Sequence, residues 1–249
     1  TINYTYSDIN QVLTEDLMGT PEIETIYVYD SCSYGAGRLC SVTSTASSTV
    51  TTHFQYDPLG NIKNKSQVFD VSVGETNYYQ INFLNDRLGN PLQIFFPRGS
   101  KVSYEYNAGG MAEKVLFTHW GTMTPKEIIS DIDYSPEGKV AYELYGNGVF
   151  TQNTYDPAKL YRLTKKYTET PLGGIDPALQ NINYKYDALG NITEISDISE
   201  TNNSKTVLYT YDDLSRLLTA STTYVGEGPS FKETYTYDAV GNILTKGSS

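Results

Sequence analysis

Apolar and polar positions alternate along most of the chain, and this pattern predicts β-strands from end to end. Runs such as Phe54-Gln55-Tyr56 and Tyr209-Thr210-Tyr211 place an aromatic residue at every second position, and residues two apart lie on one face of a strand. Tyr, Thr, Val and Ile, which favour strands, are abundant, whereas long runs of Ala, Leu, Glu and Lys are missing. Three short stretches, 22–26, 125–129 and 176–180, predict a helical turn.

A tyrosine recurs along the chain, usually followed by Asp and, a few positions later, by a glycine or a small polar residue. In a tenth copy, Asn85 stands in the position of the tyrosine. The 231 residues from Tyr6 to Tyr237 contain nine intervals of 21 to 31 residues, so the mean period is about 26, which is typical of stacked repeat arrays. The nine tyrosines, called the repeat tyrosines below, are Tyr6, Tyr29, Tyr56, Tyr106, Tyr134, Tyr155, Tyr186, Tyr211 and Tyr237.

The best-preserved copies predict a strand, a tight turn and a second strand. The Asp after the tyrosine can accept a hydrogen bond from the backbone two residues later, and the following glycine permits a positive φ, so the chain can reverse. The residues that define these turns are Asp57 and Gly60, Asp187 and Gly190, and Asp238 and Gly241. The return strands are expected to begin at Ile62, Val140, Ile192, Leu217 and Ile243.

The unbroken repeat predicts one domain, residues 1–249, with about ten hairpins. A lone hairpin is only marginally stable, so each one must lean on its neighbours. Tyrosines stacked from one repeat to the next are expected to supply these contacts, and each buried ring contributes about 2 kcal/mol. At 249 residues the chain is also long enough to bury a substantial core.

The repeat cores resemble the YD repeats of RHS proteins. The resemblance rests on the Tyr-Asp-x-x-Gly-Asn cores, on the run 145–149 ahead of Tyr155-Asp156, and on the run 211–217, and it covers about residues 2–245. It implies a long β-sheet that spirals into a hollow shell around a toxin or effector segment of the same parent protein, secreted or at the cell surface. Because the chain is short for a closed shell, an open, curved sheet is expected.

The self-cleavage motif with which such shells usually end is not found in the sequence. Residues 57–60 read Asp-Pro-Leu-Gly, which matches its first four letters, but they lie inside an ordinary repeat and lack the glycines that should follow. Self-proteolysis at Asp57 is therefore not expected. The chain starts without Met and is expected to be a piece of a longer protein.

Charge and hydropathy argue against two classes of partner. The net charge is −11, and binding to nucleic acid or to an anionic membrane depends on clustered Lys and Arg. No apolar stretch reaches the length of about 18 residues that a membrane span needs. We therefore predict no nucleic-acid partner and no membrane span.

Two cysteines, Cys32 and Cys40, flank a glycine-rich turn in the second copy. Their spacing suits a disulfide across an enlarged hairpin loop, which would stabilise the fold by about 2 to 3 kcal/mol in an oxidising compartment. A pair of unlinked thiols is the alternative. A zinc site would need two more ligands, and His53 and His119 are distant in sequence, so we predict no metal site.

Signals of catalysis are weak, and no catalytic residue, cofactor or enzymatic activity is predicted. The two histidines are expected on strand faces, and an Asp that recurs at every turn serves the fold, because a catalytic pair needs one special environment. Two functions are left: a structural wall that encloses or displays another segment, or recognition of cell-surface glycans. The second is also proposed for YD repeats, and exposed aromatics around Trp120 or Tyr78-Tyr79 would favour it.

Overall fold

The computed structural model describes residues 1–17, 23–45, 48–72, 75–122, 124–171, 178–200, 202–225, 228 and 230–248. The chain divides into two compact units, Thr1–Glu127 and Ile128–Ser249. Within the described residues the regular structure consists of twenty β-strands and two short 3-10 turns, Pro97–Gly99 and Pro157–Lys159.

The first unit is an antiparallel meander in which every strand pairs with its neighbours in the chain. Each repeat contributes one hairpin, and the meander is open, since the described residues show no pairing of its first strand with its last. Its strands are β1 (Ile2–Tyr6), β2 (Val12–Leu17), β3 (Thr25–Tyr29), β4 (Leu39–Ser44), β5 (Val50–Tyr56), β6 (Ile62–Ser72), β7 (Glu75–Asn85), β8 (Pro91–Phe95), β9 (Lys101–Tyr106) and β10 (Ala112–Thr118).

The second unit repeats this plan with five further hairpins, again as an open antiparallel meander of chain neighbours. Its first strand begins at the boundary between the units. The strands are β11 (Lys126–Tyr134), β12 (Val140–Tyr145), β13 (Phe150–Asp156), β14 (Arg162–Glu169), β15 (Gln180–Tyr186), β16 (Ile192–Asp197), β17 (Ser204–Tyr211), β18 (Leu217–Val225), β19 (Lys232–Tyr237) and β20 (Ile243–Ser248).

The predicted fold class, an all-β array of antiparallel hairpins in an open sheet, is confirmed. The five return strands begin at the predicted residues. The helical turn predicted over 125–129 is wrong, because these residues lead into and form the start of β11. The stretches 22–26 and 176–180 lie partly outside the described residues, and their described parts approach or enter β3 and β15. Tertiary pairing has overridden a weak local preference.

A β-bulge follows the turn in each of the ten hairpins that the structure describes. In the third hairpin, Tyr56 pairs with Ile62 but Gln55 pairs with Asn64, so Lys63 has no partner of its own. The same shift recurs in all nine remaining hairpins, at the repeat tyrosine or at Asn85. Because a bulge bends its strand and increases the local twist, the same local bend occurs once per repeat.

In the part of the chain that the structure describes, few side chains are fully buried, and the substantial core that the chain length allows is not formed there. Among the described residues, the buried apolar side chains are those of Cys40, Ile132 and Ala220. Buried polar side chains are twice as numerous, and they are Asn64, Ser66, Thr118, Thr151, Thr168 and Thr222. Stability must therefore come from half-buried contacts that are spread along the strands.

Candidate functional site

The turn after each repeat tyrosine is organised by the carboxylate of the next residue. In the copy at Asp187, Oδ1 accepts hydrogen bonds from the backbone N–H groups of Gly190 (2.7 Å) and Asn191 (2.8 Å). Oδ2 accepts a third from Nδ2 of Asn191 at 2.9 Å. Gly190 has φ +98°, and a Cβ there would also clash with the guanidinium of Arg162. The backbone conformation therefore requires glycine, whereas the guanidinium lies at the end of a flexible side chain that can shift.

The same arrangement recurs at the other Asp-x-x-Gly-Asn copies. The Asp carboxylates at positions 57, 86 and 238 each accept a hydrogen bond from the side chain of the Asn four residues later, at 3.1, 2.9 and 2.8 Å. The side-chain hydrogen bond from Asn is the main influence that lowers the pKa of Asp86, Asp187 and Asp238. These carboxylates thus stabilise turns, and Gly60 and Gly241 take positive φ values of 88° and 95° as predicted for such turns.

The repeat tyrosines connect one repeat to the preceding one through their hydroxyl groups. The hydroxyl of Tyr186 donates a hydrogen bond to the carbonyl oxygen of Leu163 at 2.7 Å, and Leu163 is the residue that pairs with the preceding repeat tyrosine, Tyr155. Six repeat tyrosines donate in this way at 2.7 to 2.9 Å, and the acceptor residue pairs with the preceding repeat tyrosine or, for Tyr106, with Asn85: Tyr56 with Leu39, Tyr106 with Pro91, Tyr155 with Val140, Tyr186 with Leu163, Tyr211 with Ile192, and Tyr237 with Leu217. We call these hydrogen bonds the cross-repeat bonds.

The copy without a tyrosine keeps the same bond. Nδ2 of Asn85 donates to the carbonyl oxygen of Ile62 at 3.0 Å, and Ile62 pairs with the preceding repeat tyrosine, Tyr56. An amide has thus replaced a phenol without changing the acceptor. The donor, more than the aromatic ring, is what this position keeps.

A cation covers several of the same rings. The guanidinium carbon of Arg162 lies 5.7 Å from the ring centre of Tyr186, and Arg162 directly precedes the acceptor residue Leu163. Within a chain of net negative charge, such contacts stabilise by about 0.5 to 2 kcal/mol each, depending on exposure. The equivalent pairs are Arg38 with Tyr56 at 5.6 Å, Lys139 with Tyr155 at 5.2 Å, and Arg216 with Tyr237 at 4.9 Å.

The expected stacking of one repeat tyrosine on the next is not what joins the repeats. Among the described residues, the ring contacts of repeat tyrosines run along a strand, from Tyr4 to Tyr6 and from Tyr104 to Tyr106, both at 6.4 Å. The rings pack instead against the preceding repeat, where burial raises the pKa of Tyr186. A phenol is protonated at neutral pH even without this shift, so the hydroxyl can donate there, and burial extends that protonation to higher pH.

The other predicted repeat tyrosines lie at the same register. Tyr29 and Tyr134 are half-buried, whereas Tyr6, on strand β1, is 52% exposed. The repeat tyrosine on β1 is therefore covered less than Tyr29, whose hairpin pairs with the hairpin before it.

Cys32 and Cys40 are joined by a disulfide, with their Cα atoms 5.5 Å apart. The bridge closes the enlarged turn of the second hairpin, in which the Asp30 carboxylate accepts a hydrogen bond from the backbone N–H of Gly37. A Cβ at Gly35 would lie 2.5 Å from the Sγ of Cys32, so the bridge and this glycine fit together. The enlarged loop is held by covalent and polar contacts.

The described residues contain no group of three or more His, Cys, Asp or Glu side chains that could hold a metal ion. In the part of the chain that the structure describes, no helix has the length and apolar character needed to cross a membrane. His53 lies on strand β5 as expected. The expectation for His119 is wrong, because it follows β10 in a turn, where its Nδ1 lies 2.7 Å from the carbonyl oxygen of Trp120.

Sequence comparison relates the chain to two toxin subunits of Yersinia entomophaga. The toxin subunit YenC2 is 37% identical over 206 residues, which are 70% of this chain and 21% of YenC2. The toxin subunit YenC1 is 29% identical over 144 residues, which are 47% of this chain and 15% of YenC1. The chain is homologous to these toxin subunits. It spans about a fifth of their length or less, and no family model matches it.

Solved structures share the fold along the whole chain. The chain is similar to a part of the crystal structure of TcdB2-TccC3-Cdc42, with a TM-score of 0.79 and 21% identity over 100% of this chain and 14% of that one. The Photorhabdus luminescens Tc holotoxin pore matches with a TM-score of 0.78 and the same coverage. Together with the homology to toxin subunits, this likeness supports the resemblance to RHS-repeat proteins.

Two features were not anticipated from the sequence. The first is the carbonyl acceptor of each repeat tyrosine, which only the pairing of one hairpin with the next defines. The second is a concavity of about 810 Å³ in the first unit, beside the disulfide and across strands β4 to β7. In the sequence it is marked only by uncharged polar residues at every second position within 53–55 and 78–82.

Proposed function

We propose that this chain is a non-catalytic, structural segment of a secreted RHS-repeat protein of the toxin-complex type, which encloses or displays a toxin or effector segment of the same parent protein. The observation that carries the proposal is the homology to toxin subunit YenC2, 37% over 206 residues. The matching fold along the whole chain supports it.

The contacts between repeats suit a wall. Six hairpins donate a cross-repeat bond from their repeat tyrosine to the hairpin before them, and a seventh donates the equivalent bond from Asn85, so the same joint recurs without a central core. In such an array, stability is approximately a sum of nearest-neighbour terms. A sheet held in this way can be extended by adding repeats, which a structure built around one hydrophobic core cannot.

The residues that carry the repeat also argue against chemistry. The turn carboxylates at 57, 86, 187 and 238 are occupied by backbone and Asn donors, and the pKa of each of the four is lowered, so they are ionised at neutral pH. A general acid or base needs a pKa close to the working pH. We propose accordingly that residues 1–249 act as one repeat domain without enzymatic activity.

The test is protection of cargo in the full-length parent protein. We expect a segment outside residues 1–249 to resist limited proteolysis, and to become sensitive when Tyr186→Ala and Tyr211→Ala weaken the repeat contacts. The matched control is Tyr184→Phe, which changes a tyrosine outside the cross-repeat bonds. Equal sensitivity of every segment in wild type and double variant would contradict enclosure.

Glycan binding is a second candidate function, and one observation favours it. Tyr78, Tyr79 and Trp120 are 56%, 53% and 57% exposed, although most interior aromatics are half-buried. Exposed Tyr and Trp side chains present an apolar face and a polar tip, which is what sugar rings require. The concavity next to Tyr78 gives this candidate a location.

A further inference from the structure

Polar side chains form a row across the four strands β4 to β7. Ser41 pairs with His53, His53 pairs with Ser66, and Ser66 pairs with Gln80. Residues directly opposite each other in neighbouring strands lie on the same face of a sheet. The row therefore runs continuously across one face, and all four of its members line the concavity.

A second row lies beside the first on the same face. Gln55 pairs with Asn64, and Asn64 pairs with Asn82. Val68 and Tyr78, another cross-strand pair, border the first row on its other side. Each of these positions is two residues from a member of the first row, so all of them share its face.

Hydrogen bonds hold these side chains in place. Oδ1 of Asn82 accepts from Nδ2 of Asn64 and from Nε2 of Gln80, both at 2.7 Å, and the hydroxyl of Tyr78 donates to Oε1 of Gln80 at 2.6 Å. Asn64 is 6% and Ser66 5% exposed, so they form the floor, whereas Tyr78 stands at the rim. The side-chain amides of Asn64 and Gln80 each carry two N–H groups, and each uses one of them to donate to Asn82.

The described residues that line the concavity include none with a formal charge. This lining contains no Asp, Glu, Lys or Arg, although the chain has 29 acidic and 18 basic residues. An ionic ligand would lose hydration there without gaining a counter-charge. The lining is also too rich in hydroxyl and amide groups to suit an apolar ligand.

An extended peptide has no place to add as a strand. Strands β4 to β7 are each paired on both sides, so their backbone groups are already used, and peptides that bind by strand addition need a free edge. A ligand with hydroxyl groups around an apolar ring face needs no free edge. Such a ligand can use the amide donors on the floor and the ring of Tyr78 at the rim.

We propose that this face of β4 to β7 is a binding site for an uncharged oligosaccharide, with one sugar ring against Tyr78 and its hydroxyl groups on the row of His53, Ser66 and Gln80. The volume of about 810 Å³ lies in the range of small-ligand sites, roughly 300 to 1,000 Å³. This inference rests on the second candidate function, glycan binding, and narrows it to one face and one ligand class.

The test uses calorimetric titration of the chain with cellohexaose, maltohexaose and chitohexaose, and with a heparin-derived hexasaccharide as the charged comparator. We expect at least one neutral hexasaccharide to bind at millimolar concentration or tighter and the heparin fragment not to bind. Tyr78→Ala should weaken the binding about tenfold, since the aromatic contact and its polar tip are both lost.

Tyr79→Ala is the matched control. Tyr79 is the next residue on the same strand and is equally exposed, but it lies on the opposite face, where its ring meets Phe69 edge-on with ring centres 5.7 Å apart. We expect Tyr79→Ala to lower the Tm while leaving the dissociation constant within about twofold. Tyr78→Ala should raise the dissociation constant while leaving the Tm nearly unchanged. Circular dichroism spectra of both variants verify that they fold.

The outcomes separate the site from the function. If a neutral sugar binds but Tyr79→Ala or Trp120→Ala, and not Tyr78→Ala, weakens it, this site is wrong and glycan binding stands. If the heparin fragment binds best, the ligand class is wrong. If no hexasaccharide binds, both the site and the second candidate function are overturned, whereas the structural function is unaffected.

Discussion

Replacing Tyr186 by Phe isolates the cross-repeat bond. The substitution removes the hydroxyl that donates to the Leu163 carbonyl at 2.7 Å and keeps the ring beneath the guanidinium of Arg162. A hydrogen bond of this kind contributes about 0.5 to 1.5 kcal/mol, and an acceptor left unpaired at a half-buried site adds to the loss. We expect the free energy of unfolding to fall by about 1 to 2 kcal/mol.

Replacing Tyr186 by Ala should cost more, because the ring is lost as well. Burial of the ring contributes about 2 kcal/mol, and the cation above it about 0.5 to 1 kcal/mol at a partly exposed site. The expected total for Tyr186→Ala is therefore about 3 to 5 kcal/mol. The difference between the Ala and Phe variants measures what the ring adds to the donor.

The assay is urea unfolding, together with hydrogen exchange of the strands on both sides of the joint. Tyr184→Phe is the control, because Tyr184 lies two residues earlier on the same strand and its hydroxyl makes no hydrogen bond with the described part of the chain. Relative to wild type, Tyr186→Phe should speed the exchange of amides in β14 and β15, on either side of the joint, more than that of amides in β18 and β19. If Tyr186→Phe is no less stable than Tyr184→Phe, the cross-repeat bond does not join the repeats.

Three further predictions concern the bridge, the buried hydroxyls and pH. Replacing both Cys32 and Cys40 by Ser should lower the free energy of unfolding by about 2 to 3 kcal/mol, with hydrogen exchange in the second unit unchanged. Thr151→Val breaks the buried hydroxyl pair with Thr168, 2.9 Å apart, and should cost about 1 kcal/mol, whereas Thr236→Val, at an exposed pair, should change the Tm little. The turn Asp groups have lowered pKa values, and the covered repeat tyrosines have raised ones, so the Tm should be flat from about pH 5 to 9. It should fall below about pH 4, where the turn carboxylates become protonated, and above about pH 10, where the phenols of the unfolded chain lose their protons first. A Tm that rises on either side of that plateau would contradict the assignment of these groups.

The hairpins themselves were predictable because their signals are local. The alternation before Tyr56 and the Asp57 to Gly60 turn both act within a few residues, so strand, turn and return strand follow from the sequence. The return strands accordingly begin at Ile62 and Ile192 as predicted. The helical turn predicted over 125–129 was wrong, because the weak helical preference of these residues competes with strand pairing in the sheet.

The joints between hairpins were not predictable, because they depend on register. Which carbonyl meets the Tyr186 hydroxyl is decided by the pairing of β14 with β15 and by the bulge after the turn, and neither is marked by a residue type. The concavity is hidden for the same reason: Ser41, His53, Ser66 and Gln80 lie up to 39 residues apart in the sequence. Only the strand register brings them into one row.

The position of the cross-repeat bond explains why the repeat length can vary. Donor and acceptor both lie next to turns, at the end of each hairpin where the Asp carboxylate and the bulge set the geometry. Strands range from five residues in β8 to eleven in β6, and intervals range from 21 to 31 residues, yet the hydroxyl-to-carbonyl distances stay between 2.7 and 2.9 Å. Residues inserted at the far end of a hairpin leave this joint unchanged. A repeat protein built in this way can therefore alter its far loops without losing the contacts that hold the sheet together.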